Sequence, residues 1–99
     1  MSRRLAYPLL MLATEFDAAA ARAFTLADVD MREHDAAQCR LLAGAAAADD
    51  AGPSVVDAWI YACEQILARY ESADMDRIHA ERASRRGYVR RTLNAEATR

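Results

Sequence analysis

The stretch "ADDAGPS", residues 48–54, decides how this chain folds. Before it lies the alanine-rich run "LLAGAAA" (41–47), and after it comes "VVDAWIYACEQILARY" (55–70). Gly52 can end one helix, Pro53 cannot continue it, and Ser54 can cap the next. A connection this short lays the two flanking helices antiparallel. The second has the strongest apolar stripe in the chain: Val56, Trp59, Ile60, Cys63, Ile66, Leu67 and Tyr70 recur at helical spacing.

Working back toward the N-terminus, Leu9, Leu12, Ala13, Phe16, Ala20, Ala23 and Phe24 form one helix face. Pro8 suits the first turn of that helix. "TLAD" (25–28) then offers Thr25 as a cap, with Phe24 and Val29 placed as a hydrophobic staple. No Gly or Pro separates the helices on either side of Thr25, so one continuous kinked helix over 8–48 is the competing reading. Beyond the second stripe, "ESAD" (71–74) reads as an interruption and Gly87 as a helix end. The expected fold is all-α: a small antiparallel bundle of three to four helices, about 8–24, 26–48, 55–71 and 74–86. A helical domain over 1–87 is followed by a basic, polar and frayed tail over 88–99.

Composition agrees. Fifty-four per cent of residues are hydrophobic, but many are alanine, and only three glycines and two prolines occur. Alanine favours helix while burying little. A monomer built this way is short of core, which predicts a homodimer, with paired hairpins as one arrangement. All thirteen basic residues are Arg, which we read as genomic base composition and as bacterial.

Charge is segregated. Residues 5–76 carry four Arg against thirteen Asp and Glu, whereas residues 77–99 carry seven Arg against two Glu. The hairpin register adds to this. With its centre near residue 51 or 52, Leu42 comes level with Ile60, Cys39 with Cys63, and Arg32 with Tyr70. Asp28, Asp30, Glu33 and Asp35 then approach Glu71, Asp74 and Asp76 at one end. Such crowding of carboxylates calls for something to neutralise it.

Function classes narrow accordingly. Two widely spaced cysteines fit a reducing cytoplasm and two small buried core residues, with a disulfide or thiol switch as the alternative. "MSRRLAYPLLMLATEFD" (1–17) reads as an ordinary first helix rather than an export leader, because Pro8, Glu15 and Asp17 interrupt its apolar run. Asp30 with His34, and Asp76 with His79, share helix faces and invite a helical-bundle metal site, but the usual Glu-x-x-His pairs are absent. No glycine-rich phosphate loop and no activated nucleophile can be found, so neither an enzyme nor a cofactor is expected.

The remaining signal is "RASRRGYVRR", 82–91. Taken as helix, Arg82, Arg85, Arg86 and Arg90 fall within about 140° of arc. Arg pairs carboxylates bidentately. The partner-binding residues expected are Arg82, Arg85, Arg86, Tyr88, Arg90 and Arg91, on an acidic protein surface of this chain, a second copy or another protein. The function expected is a small cytoplasmic bacterial interaction protein: an adaptor, chaperone-like subunit or inhibitor, with Met11 and Tyr61 as further contacts. The alternative is a nucleic-acid-associated regulator, with the same arginines on phosphates and Tyr88 stacked on a base. Against it stands a sequence pI near 5.6.

Overall fold

The structure is a computed structural model that describes residues 1–97. A single 3₁₀ turn, Arg3–Leu5, leads into α1 (Ala6–Arg22), α2 (Leu26–Ala47) and α3 (Pro53–Ala97). The all-α reading holds, and no strand occurs among the described residues.

α1 and α2 are separate helices. Ala23 and Thr25 are both extended, at ψ 145° and ψ 155°. The Thr25 hydroxyl accepts a hydrogen bond from the Asp28 N–H at 3.1 Å, which satisfies one of the free donors at the start of α2. The staple is a different matter. Phe24 is 73% exposed, and its ring receives the Arg77 guanidinium at 5.2 Å.

The turn after α2 works through Asp49 rather than Gly52. Asp49 adopts φ 60°, a left-handed conformation that Asp tolerates better than most side chains. The Asp50 N–H then reaches back to the Ala45 carbonyl at 2.8 Å and closes the helix end. The Asp49 carboxylate accepts hydrogen bonds from the N-terminal ammonium of Met1 and from the Ser2 N–H. These contacts, the ammonium first, pull its pKa down to about 2. Pro53 opens α3 as its first residue, where a missing N–H costs nothing, so Ser54 lies inside the helix.

Two apolar clusters join the helices. Leu5, Leu9, Ala43, Ala46 and Val56 pack near the turn. Leu12, Ala13, Phe16, Ala36, Cys39 and Cys63 pack farther along, with Ile60, Ile66, Leu67 and Tyr70 against them. The small residues of α2 let its backbone come close to α1. Trp59, expected in the core, is 38% exposed and lies beside Leu41 and Leu42.

The largest departure from expectation is α3. It runs 45 residues without a break. "ESAD" does not interrupt it and Gly87 does not end it. Neither segment contains proline, and one glycine costs a helix only about 1 kcal/mol. Helix therefore extends over 88–97, while Thr98 and Arg99 of the expected tail lie outside the described residues. At about 1.5 Å per residue α3 is about 68 Å long, and the chain measures 74 × 20 × 16 Å. The compact bundle expected from the sequence is thus replaced by an extended molecule. Its three helices pack as far as Ile78, and from His79 to Ala97 every residue except Gly87 is exposed.

Candidate functional site

Three places hold the residues singled out in the sequence: the acidic end of the hairpin, the cysteine pair, and the projecting half of α3.

At the acidic end the expected neutralisation takes place inside the protein. Arg32 lies on the buried face of α2, one turn before Ala36 and two before Cys39. Its guanidinium makes two hydrogen bonds to the Asp74 carboxylate, at 2.9 and 3.1 Å. It also donates to the Ala19 carbonyl at 2.9 Å and stands 4.5 Å from the centre of the Tyr70 ring. One site therefore ties α1, α2 and α3 together. Arg22 and Arg77 approach the same carboxylate at 3.7 and 3.8 Å. The hydrogen bonds from Arg32 hold the Asp74 carboxyl below the usual carboxylate range, and those to Asp74 raise Arg32 further. The Tyr70 hydroxyl donates to Asp35 at 2.6 Å, and burial together with that bond pushes its pKa up to about 12. The register placed Arg32 level with Tyr70. It did not show that Arg32 and Asp74 are buried together.

The cysteines are neighbours, as the register required. Their sulfurs lie 3.7 Å apart, both are buried, and both are free thiols. Burial pushes the Cys63 thiol up to about 12, so it holds its proton at neutral pH and is a poor nucleophile.

The histidines stay at the surface. Asp30 and His34 are exposed on α2, and Asp76 and His79 are exposed on α3. Among the described residues no group of three or more His, Cys, Asp or Glu is placed to hold a metal ion. No helix among them is long and apolar enough to cross a membrane.

The projecting half of α3 carries Arg82, Arg85, Arg86, Tyr88, Arg90 and Arg91, all exposed. None of these five arginines makes an ion pair among the described residues. Tyr88, Val89 and Leu93 are 66%, 54% and 59% exposed on the same segment. Arg85, Arg86, Val89, Arg90 and Leu93 line a shallow surface trough with an apolar floor. The segment can thus offer both guanidinium donors and apolar area to another molecule. Among the described residues of the basic C-terminal region, Arg77 alone pairs with an acid of the body, Asp74, and it also approaches Glu81 one turn farther along its own helix.

A second concave surface lies between α1 and the packed half of α3. It is a groove of about 600 Å³ lined by Glu15, Ala18 and Arg22 on one side and by Glu64, Leu67, Ala68, Glu71, Met75 and Ile78 on the other. It continues toward the start of α1 along Pro8, Met11 and Ile60. Sequence reasoning named Met11 as a contact but missed the groove. Its signal was the recurrence of Glu64, Leu67, Glu71, Met75 and Ile78 along one edge of α3, beside the core stripe.

Comparison with known proteins adds no likeness: no family model, no curated protein and no solved structure matches this chain.

Proposed function

We propose that this protein is a small, non-catalytic protein–protein interaction module of the bacterial cytoplasm, acting as a homo-oligomer. The adaptor, chaperone-like and inhibitor roles all follow from one property: the projecting half of α3 docks on an acidic protein surface through Arg82, Arg85, Arg86, Tyr88, Arg90 and Arg91. The observation that carries this reading is a long exposed helix with unpaired arginines and three exposed apolar side chains. Most helical stability in proteins comes from packing of one face rather than from propensity, so a partner docked on 79–97 would hold it as helix. In the lone chain this segment frays, and docking orders it. A compact antiparallel bundle forms when the docked segment supplies the missing helix.

Photo-crosslinking in the native host tests this reading. With benzoylphenylalanine in place of Tyr88, adducts to protein are expected, and they should disappear when Arg85 and Arg86 become Glu. Adducts to nucleic acid alone, or none, would overturn it.

The exposed arginine cluster also supports the nucleic-acid reading as runner-up. That reading demands a gel shift with mixed DNA and RNA at low salt and a steep loss of affinity as salt rises. We expect no shift. The metal and thiol-redox readings have no such support, since no group of three or more His, Cys, Asp or Glu among the described residues is placed to hold a metal and burial keeps the Cys63 thiol protonated.

A further inference from the structure

The overhanging half of α3 and the groove between α1 and α3 match each other in length, polarity and charge, and they lie on one helix. We propose that a second copy of this chain is the occupant of that groove, with each α3 overhang lying antiparallel along its partner's groove in a two-fold dimer. This rests on the reading of the overhang as a protein-docking element and names the surface it docks on.

Length is the first match. The groove follows α3 from Ile60 to Ile78, and the described overhang runs from His79 to Ala97; each rises about 27 Å, so an overhang is long enough to lie along a groove.

Direction is the second. Glu64, Glu71, Met75, Arg82, Val89 and Leu93 fall within about 40° of arc on α3, at 3.6 residues per turn. Groove floor and overhang face are therefore one continuous stripe, and it can pair with its own copy without twisting either helix. Met75 is 45% exposed and Leu93 59% exposed, so the stripe lacks cover within the chain.

Charge is the third and sets the register. The groove carries Glu64 and Glu71 on the stripe and Glu15 across from it on α1, all exposed, with Arg22 and Asp74 also in its lining. The overhang carries Arg82 on the stripe, flanked by Arg85 and Arg86. When Leu93 reaches the partner's apolar Ile60, Arg82 meets Glu71 and Ile78 meets apolar Met75, while Val89 lies level with Glu64 and Arg85 with Ala68. A parallel pairing would set Glu71 against Glu71 and Arg82 against Arg82, which costs energy. Each body then gains a fourth helix from its partner.

A charge-swap experiment on the full chain tests this. Sedimentation equilibrium of the native protein should give a dimer at micromolar concentration. Glu15→Arg, Glu64→Arg and Glu71→Arg together should give a monomer, as should Arg82→Glu, Arg85→Glu and Arg86→Glu together. An equimolar mixture of the two variants should recover a 1:1 heterodimer, visible by native mass spectrometry. Recovery also shows that both variants are folded. A native chain that stays monomeric at about 100 µM, variants that remain dimers, or a mixture that stays monomeric would each overturn the proposal. Crosslinks from position 88 to a different protein, with a monomeric native chain, would sink self-docking and leave the interaction reading standing.

Discussion

The two halves of α3 show what decides the use of a charged side chain. The half from Pro53 to Ile78 places Asp74 opposite Arg32, inside a three-helix contact, where the pair hydrogen-bonds at 2.9 and 3.1 Å. The half from His79 to Ala97 places five arginines where the body offers no carboxylate. Both halves are helix, and neither contains proline after the first residue, but the first is acidic and apolar and the second rich in arginine. The difference is the length of α1 and α2. They end near Arg22 and begin near Leu26, level with Asp74 and Arg77, and nothing covers α3 beyond. In the first half an ion pair is desolvated and holds three helices in one register. In the second the same kind of side chain stays exposed to solvent.

The sharpest way to break this contrast is Asp74→Ala. It leaves the Arg32 charge buried without its partner, and loss of one member of such a pair costs about 3–5 kcal/mol. Urea unfolding should show a loss of that size. A change below about 1 kcal/mol would mean that the Arg32 site is not buried as described. Acid works on the same group. The folded pKa of Asp74 is depressed, so its contribution is fully present above the unfolded value of about 3.9 and is lost as pH falls through the folded value. Asp49, with its pKa near 2, changes in the same direction. Stability should therefore fall below about pH 4, and Asp74→Asn should flatten part of that slope.

A smaller effect is expected from Gly87→Ala. Gly87 has no positive φ, and a Cβ there would meet only Arg91 Nη1, at 3.5 Å. The change should stabilise helix in the overhang by about 0.5–1 kcal/mol. Circular dichroism of the dilute protein should register more helix, and the dimer should tighten. The smallest effect on the body itself belongs to Arg82, Arg85 and Arg86. Replacing them with Glu should alter the unfolding free energy of the isolated chain by less than about 0.5 kcal/mol per site, because they touch nothing in it. A large loss of stability in the monomer would show that these arginines bind their own body.

Much of the fold was legible because the turn at 48–54 fixes a register. That register brought Cys39 to Cys63 and Arg32 to Tyr70 before any coordinates. The Thr25 cap was legible because its chemistry is local. What escaped was tertiary. Arg32 falls on the small-residue face of Ala36, Cys39, Ala43 and Ala46, and Asp74 continues the line of Cys63, Leu67 and Tyr70. The register brought both to the same end of the hairpin without pairing them, and their shared face was the available signal. Phe24 and Trp59 were read as core from their places on the apolar stripes, but both lie exposed at the edge of the packed helices. Ser72 and Gly87 were read as helix boundaries although neither forbids helix. The arginine-rich segment was identified from composition alone, whereas the groove that fits it required three helices in place.

Hydrogen–deuterium exchange across the two halves of α3, as a function of protein concentration, tests the central claim most directly. The account predicts that amides from Val56 to Tyr70 are protected at every concentration. Amides from His79 to Leu93 should exchange freely in dilute solution and become protected as dimer forms. Overhang protection that is independent of concentration, or absent even at the highest concentration, would contradict it.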